Sequence, residues 1–212
     1  MEQAEILRNQ LLGETLVKKL TQRGFGAYYC ADKNAALAKA LELIPAEDVV
    51  SWGGSVTIQE IGLLETIKRR NPVIDRDTAA NAEEKTELMR RALLCDTYLM
   101  SANAISKDGQ LVNIDGNGNR VAALIYGPKQ VIVIAGMNKV AGTLEGALDR
   151  ARNVAAPLNA ARFAGLPTPC AKTGACAECA LAQSICSQVV ITRTCRTPQR
   201  IKVILVGESL GF

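Results

Sequence analysis

The sequence predicts an α/β protein built on a mostly parallel sheet. Segments with helical periodicity alternate with short strand-like segments along most of the chain, which is typical of that fold class. Residues 131–134 are all aliphatic, as in a strand covered by helices on both faces. The length of 212 residues and the hydrophobic content of 48% suit one folded domain with a sizeable core.

The first four predicted elements alternate between helix and strand. Apolar residues recur at helical spacing over residues 2–23, and Gly24 follows as a helix stop. Residues 27–30 are predicted to form a strand. Asp32 can cap a second helix through residue 44, and residues 49–52 are predicted to form the next strand.

A third helix is predicted after the glycine pair that ends this strand. Thr57 and Glu60 have the spacing of a capping box for a helix that reaches residue 70. Residues 72–74 are predicted to form another short strand. Asn81 then opens a helix that reaches about residue 95.

Two more strands and a hairpin are predicted in the middle of the chain. The strands are residues 97–100 and 131–134, and Asp-Gly turns on either side of residues 110–114 predict a local hairpin between them. A helix over residues 143–153 follows, and a second helix is expected to end near Phe163.

The last part of the chain differs in composition from the rest. Residues 167–186 are rich in Cys, Gly, Ala, Thr and Pro and show no clear periodicity. Two β-rich segments, 189–192 and 201–206, are expected to pair as an antiparallel hairpin. We therefore divide the chain into an α/β domain, residues 1–166, and a Cys-rich loop with its hairpin, residues 167–212, packed on the same domain.

The chain has seven cysteines and no histidine. This count excludes Ser-His-Asp and Cys-His nucleophiles, a histidine general base, and metal sites that need an imidazole ligand. No segment is apolar over the 18 or more residues that span a bilayer, and the charged N-terminus does not resemble a signal peptide. We therefore expect a cytoplasmic protein whose cysteines serve metal or redox chemistry, with no membrane contact.

The positive charge is concentrated near the C-terminus. Residues 1–161 carry 19 basic and 19 acidic side chains, whereas residues 162–202 carry six basic ones against Glu178 alone. The aromatic content of 4% and the absence of a basic run argue against a nucleic-acid partner.

Four cysteines form the most specific pattern in the sequence, C-x5-C-x2-C-x6-C. They are Cys170, Cys176, Cys179 and Cys186. Four thiolates in a short irregular loop can converge on one metal centre, and the nearby cations are expected to lower their pKa values. The spacing favours an iron–sulfur cluster, of the 4Fe–4S type, over a structural zinc, and a redox-idle loop is the third alternative.

The other three cysteines are interpreted differently. Cys195 is either a non-ligating thiol or a substitute ligand. Cys30 and Cys95 are interpreted as core residues, because one ends a strand and the other continues the apolar face of a helix.

Two glycine-rich turns are candidate anion sites. Gly53, Gly54 and Ser55 follow a strand and open a helix, so their backbone N–H groups can face a phosphate or carboxylate. The second turn, residues 115–120, ends at Arg120, which can bind a carboxylate or phosphate through two hydrogen bonds. Lys139 follows a strand, at the edge where open α/β sheets bind ligands. The alternatives are a tight βα turn, a hairpin turn with a solvated arginine and a solvent-facing lysine.

Several of these residues belong to longer motifs, and the motifs together resemble those of one family. The motifs are Trp52-Gly53-Gly54-Ser55-x-Thr57-x-x-Glu60-x-Gly62, Asn103-Ala104-Ile105-x-x-Asp108-Gly109, Leu111-Val112-Asn113, Gly118-Asn119-Arg120-Val121, Ala156-Pro157-x-Asn159-Ala160 and the ending Cys170-x-x-Thr173-Gly174-x-Cys176-x-x-Cys179, Ile185-Cys186 and Val203-Ile204-Leu205-Val206-Gly207-Glu208. The chain is similar to the LUD family, the lactate-utilization proteins, and its ending resembles a cysteine-tailed subgroup.

The resemblance implies a fold, a pocket and a metabolic setting. The fold would be Rossmann-like, similar to the sugar-phosphate isomerase and CoA-transferase group, with a small antiparallel part. The pocket would bind a small anionic metabolite, and the implied role is in oxidative lactate or 2-hydroxy-acid metabolism beside iron–sulfur redox partners. The residues placed in that pocket are Gly53, Gly54, Ser55 and Thr57, with Asp115, Asn119, Arg120 and Lys139 opposite.

Two further functions stay open at this point. The protein can be an isomerase, hydrolase or acyl-transfer enzyme on a phosphate or CoA ester, with Glu60, Asp115 and Lys139 as acid/base groups and a structural zinc. It can instead be a non-catalytic redox or iron sensor that docks a partner. A homo-oligomer is compatible with each of these functions.

Overall fold

The computed structural model describes residues 3–212 as two sheets flanked by helices. Within this range the strands are β1 (Gly26–Cys30), β2 (Val50–Trp52), β3 (Val73–Ile74), β4 (Thr97–Met100), β5 (Ala104–Ser106), β6 (Leu111–Asp115), β7 (Gln130–Gly136), β8 (Val140–Ala141), β9 (Gln188–Thr192) and β10 (Ile201–Val206). The α-helices are α1 (Gln3–Gln22), α2 (Lys33–Leu43), α3 (Val56–Glu60), α4 (Leu63–Arg70), α5 (Ala82–Arg91), α6 (Asn119–Ile125), α7 (Leu144–Arg150), α8 (Ala156–Ala160) and α9 (Pro169–Thr173).

The main sheet is parallel throughout and has the order β1-β10-β7-β4-β2-β3. Its central strands are buried on both faces, as the aliphatic run at 131–134 predicts. Val131 and Val133 pack with α1 and α6, whereas Ile132 and Ile134 pack with α2, α3 and α4. The predicted α/β class with a mostly parallel sheet is therefore confirmed.

The second sheet has four strands in the order β8-β5-β6-β9. Strands β5 and β6 pair antiparallel, which confirms the hairpin predicted around residues 110–114. One face of this sheet packs under α7, where Val112 and Ile114 meet Ala147 and Ala151. The small sheet thereby holds the end of β6 beside the main sheet.

The predicted C-terminal hairpin is wrong. Strand β9 pairs antiparallel with β6 at the edge of the small sheet, whereas β10 lies between β1 and β7 in the main sheet. The reason is hydrophobic burial. Val203 to Val206 are buried on both faces of β10, which only a central strand allows, while Val189 and Ile191 on β9 stay partly exposed.

Local capping signals predicted the caps of two helices correctly and of one wrongly. The side chains of Asp32 and Asn81 cap α2 and α5 as predicted. The predicted capping box of Thr57 with Glu60 is wrong, because Ser55 caps α3 by accepting a hydrogen bond from the Ile58 N–H. The first helix begins at Gln3 among the described residues, and its predicted start at residue 2 lies outside them.

No helix within residues 3–212 is long and apolar enough to cross a membrane. The division at residues 166 and 167 stays a prediction about organisation. Both parts contribute to one sheet, since β10 is a central strand of the main sheet.

Candidate functional site

A polar cleft lies at the carboxyl edge of the main sheet. It encloses about 50 Å³ and draws its walls from the ends of three parallel strands, from α6 and from the chain around α8. This is the edge where open α/β sheets bind ligands. The polar and aromatic side chains along the cleft are Ser55, Thr57, Ser101, Asn103, Arg120, Lys139, Asn159, Arg162 and Phe212.

Lys139 is the most unusual group in the cleft. Its side chain follows β7 and is 3% exposed. The Nζ atom donates hydrogen bonds to Thr57 Oγ1 and Ser101 Oγ, each at 2.9 Å. Burial lowers the pKa of Lys139 to about 7, with Arg150 and Arg120 adding to the shift and Glu60 opposing it. Lysine therefore changes charge near neutral pH at this position.

The two glycines after β2 have different neighbours. Gly54 lines the cleft, whereas Gly53 is buried beneath the side chain of Arg120. A Cβ atom at Gly53 would lie 2.5 Å from Arg120 Cδ and 2.6 Å from its Cγ. The absence of a side chain at residue 53 is thus what allows Arg120 to cross the turn.

Asp115 holds Arg120 and does not line the cleft. Its Oδ2 accepts hydrogen bonds from the backbone N–H groups of Arg120 and Val121, at 3.0 and 3.2 Å, and thereby caps α6. The same oxygen lies 3.4 Å from Arg120 Nε, and Arg120 Nη2 donates to the Ile114 carbonyl at 2.7 Å. Asp115 is therefore placed as a positioning residue for the arginine.

Glu60 holds the C-terminal segment, residues 207–212, across the site. Its carboxylate accepts a hydrogen bond from the Gly211 N–H at 2.8 Å, and Thr57 Oγ1 donates to the Leu210 carbonyl at 3.3 Å. At the end of this segment the ring of Phe212 lies 5.7 Å from the Arg162 guanidinium. Glu60 is exposed and lies outside the cleft lining.

The structure thus brings together only part of the site that the sequence predicts. Gly54, Ser55, Thr57, Arg120 and Lys139 line one cleft. Gly53 and Asp115 contact Arg120, and Glu60 contacts Gly211 of the C-terminal segment. Asn119, at the first position of α6, faces a different surface depression beside α5. The cleft also includes residues that were not predicted from the sequence: Ser101, Asn103, Asn159, Arg162 and Phe212.

Two signals could have found some of the missed residues. Ser101 follows β4 directly, so it lies at the same sheet edge as Gly54 and Lys139. Asn103 and Asn159 each occur in a motif quoted above for the family resemblance. No comparable signal exists for Arg162 and Phe212, because the chain brings them to the cleft from distant segments.

The four cysteines of the C-terminal loop line a second, larger cavity. Cys170, Cys176, Cys179 and Cys186 surround a space of about 320 Å³, with Ile114 and Val189 of the small sheet beneath it. An ion pair between Arg152 and Glu178, at 3.1 Å, ties the loop to the helical segment beside it. All four predicted ligand cysteines therefore share one cavity.

The four thiols line the cavity without converging on one point. Among residues 3–212, no set of three or more Cys, Asp or Glu side chains is arranged to hold a single metal ion. Burial, followed by the charges of the other three cysteines, raises the pKa of Cys186 to about 11. The expectation that nearby cations lower the thiol pKa values is wrong for this residue, because the neighbouring groups that act on it are thiols.

The cleft and the cysteine cavity share one wall. A π-helical turn, Ala151–Ala155, leads from α7 into α8. Arg152, Ala156 and Pro157 face the cysteines, whereas Ala155 and Asn159 face the Lys139 cleft. π-Helical turns inside helices are frequent at functional sites, and this one supplies residues to both cavities.

The three remaining cysteines lie apart from this cavity. Cys195 is buried in the core beneath α1, where its Sγ donates to the Thr197 carbonyl at 2.9 Å and accepts from the Ile201 N–H at 3.4 Å. Cys30 and Cys95 are buried in the apolar cores on the two faces of the main sheet, as predicted.

Comparisons with known proteins agree with this architecture. The chain is similar to a DUF162 family protein from Deinococcus radiodurans, known from its crystal structure, with 16% identity and a TM-score of 0.51. That likeness covers 97% of this chain and 99% of the other, and at this identity it shows the fold alone. No curated protein matches the chain. A family model described as the LUD domain matches residues 13–206, so this protein belongs to the LUD-domain family.

Proposed function

We propose that this LUD-domain protein carries an iron–sulfur cluster on Cys170, Cys176, Cys179 and Cys186 and binds a small carboxylate in the Lys139 cleft. The metabolic setting that we propose is the oxidation of lactate or a related 2-hydroxy acid, beside other iron–sulfur redox proteins. The single observation that carries the proposal is the common wall, Ala151–Ala155 with α8, between an all-thiol cavity and a cationic cleft.

The donor set and its spacing support a cluster. Four thiols around about 320 Å³ suit a group that takes one thiolate at each of four corners. The spacing C-x5-C-x2-C-x6-C resembles that of cluster-binding loops more than the paired C-x2-C knuckles of structural zinc sites. When bound, such a cluster accepts and donates single electrons.

The charges of the cleft support a carboxylate ligand. Arg120 and Arg162 line it beside the amine of Lys139. Asp115 lies behind Arg120 and is paired with its Nε, and Glu60 is bonded to Gly211. Arginine binds carboxylates through two parallel hydrogen bonds, and the hydroxyl groups of Thr57 and Ser101 add neutral partners. The small volume favours a ligand with few carbon atoms.

Metal analysis of protein purified without oxygen tests the cluster. We expect a brown protein with broad visible absorbance and with iron and acid-labile sulfide in comparable amounts. Cys176→Ser and Cys179→Ser should lose most of both, whereas Cys30→Ala, at a cysteine buried in the core against α2, should keep them. Colourless protein with one equivalent of zinc would instead support a structural metal and the acid/base alternative.

Thermal unfolding with added acetate, lactate and phosphate tests the cleft separately. We expect short carboxylates to raise the melting temperature of the native protein and to lose this effect in Arg120→Gln. Lys107→Gln removes one positive charge at an exposed residue and is the matched control. Equal stabilisation of Arg120→Gln and the native protein would place carboxylate binding elsewhere.

A further inference from the structure

The amine of Lys139 is buried without an acidic partner. Its Nζ atom has two neutral hydrogen-bond acceptors, Thr57 Oγ1 and Ser101 Oγ, and it forms no ion pair in the described part of the chain. A buried ammonium group without a carboxylate is costly, so the neutral amine is favoured. A neutral amine is a nucleophile, whereas an ammonium group is not.

The charged groups around Lys139, taken together, also favour its neutral amine. The charged groups that face it are Arg150, Arg120 and Glu60, so two cations oppose one carboxylate. With burial as the main cause, they hold the pKa of Lys139 at about 7. Burial beside other cations is a recognised way to activate a lysine toward carbonyl compounds.

The cleft also limits the size and charge of what can reach the amine. The space of about 50 Å³ has room for a few water-sized groups, which suits a short ligand. Arg120 and Arg162 line the same cleft and offer guanidinium groups to a carboxylate. Thr57 and Ser101 place hydroxyl groups 2.9 Å from the amine, where they can pass protons.

We propose that Lys139 forms an imine with the carbonyl carbon of a short 2-oxo acid whose carboxylate is held by Arg120 and Arg162. The Nζ lone pair forms the new C–N bond while the carbonyl π electrons move to oxygen, which takes up a proton. That proton comes from Nζ and gives the carbinolamine. The C–O bond then breaks, the hydroxyl group takes the second Nζ proton and leaves as water, and the C=N bond forms. One water leaves for each acid bound, and no oxidant or reductant is consumed.

This inference rests on the carboxylate cleft of the proposed function and not on the cluster. It adds that the ligand is a 2-oxo acid, which is the oxidised form of a 2-hydroxy acid. An imine also activates the adjacent carbon toward loss or gain of a proton, because the protonated nitrogen withdraws electrons.

Reduction with borohydride tests the imine. Native protein is incubated with pyruvate or glyoxylate in slightly alkaline buffer, sodium borohydride is added, and the intact mass is measured. We expect one adduct whose mass equals that of the acid less one oxygen atom, and peptide mapping should place it on Lys139. Lys139→Arg should lose the adduct, whereas Lys129→Arg should keep it, because Lys129 is exposed and paired with Asp96.

Mapping of the native protein keeps the test valid even if Lys139→Arg fails to fold. Adducts spread over exposed lysines, or none on Lys139, would overturn the imine. Acetate has no reactive carbonyl group, so its effect on the melting temperature reports cleft binding alone. Stabilisation by acetate without an adduct on Lys139 would remove the imine and leave the carboxylate site, whereas absence of both would remove both proposals.

Discussion

The side chain of Arg120 crosses directly over Gly53, with its Cδ atom 2.5 Å from where a Cβ atom of residue 53 would stand. Real Cβ contacts are essentially never this short, so any side chain at residue 53 must displace the arginine stem. The glycine turn after β2 and the arginine of α6 therefore form one unit, although Gly53 and Arg120 are 67 positions apart in the sequence.

Gly53→Ala is expected to weaken carboxylate binding by about tenfold, which corresponds to the loss of one charge-assisted hydrogen bond from Arg120. Isothermal titration with acetate or lactate measures the change. Gly142→Ala is the matched control, because a Cβ atom there meets nothing within 4 Å. Unchanged affinity in Gly53→Ala would mean that carboxylate binding does not require the Arg120 side chain to cross over residue 53.

Asp115→Ala is expected to lower the free energy of unfolding by about 1–2 kcal/mol, since it removes the cap of α6 and the partner of Arg120. For a protein of this size that is a fall in melting temperature of about 2–8 °C. Carboxylate affinity should fall with it. A variant as stable as the native protein would contradict the positioning role.

Lys139→Met is expected to change how stability depends on pH. Below about pH 7 the native state carries a buried charge that costs stability. As pH rises from 7 toward 10.5, native Lys139 is neutral while the unfolded chain still binds a proton there, so the free energy of unfolding rises with pH.

Urea unfolding at several pH values measures this contribution. The difference in stability between Lys139→Met and the native protein should be largest near neutral pH and should shrink by several kcal/mol toward pH 10, since one pKa unit equals about 1.4 kcal/mol. Lys107→Met, at an exposed residue, should leave the pH profile of the native protein unchanged. A constant difference would contradict a depressed pKa.

Cys195→Ser is expected to keep the full content of iron and sulfide. The Sγ atom of Cys195 is bonded to the Thr197 carbonyl and the Ile201 N–H in the core, and a serine hydroxyl can make both hydrogen bonds. Iron and sulfide assays on anaerobically purified protein measure the outcome. Loss of the cluster in this variant alone would show that Cys195 substitutes for one of the four loop cysteines.

Glu60→Ala is expected to loosen the C-terminal segment, because the carboxylate accepts the Gly211 N–H. Hydrogen exchange at Gly211 should become faster, while exchange in the central strand β10 should stay slow. Glu60→Gln keeps an oxygen acceptor and should behave like the native protein. If Glu60→Gln instead abolishes ligand binding, the negative charge itself is required.

Short-range signals predicted most of the elements. Asp32 and Asn81 cap their helices through bonds to residues two or three positions away, and the aliphatic run at 131–134 forms a doubly covered strand. The capping box at Thr57 failed because tertiary partners compete for its side chains. Thr57 bonds Lys139 and Leu210, and Glu60 bonds Gly211.

The residues of the cleft were predicted only in part. Gly54, Ser55, Thr57, Arg120 and Lys139 were identifiable because each lies in or just after a turn that follows a strand. Arg162 and Phe212 reach the cleft only through the path of α8 and of the chain after β10. Asn119 was predicted beside Arg120, but consecutive residues on a helix point in different directions.

Composition and spacing alone established that the chain has no imidazole, that proton transfer must use carboxylate, amine, thiol or water, and that four thiols fall within one short loop. Those conclusions depend on residue types and on neighbours along the chain. Tertiary packing alone decided that β10 enters the main sheet, that Cys195 lies apart from the other four, and that Lys139 is buried without an acid. Strand partners and buried charges depend on contacts between distant segments, whose free energies no local pattern contains.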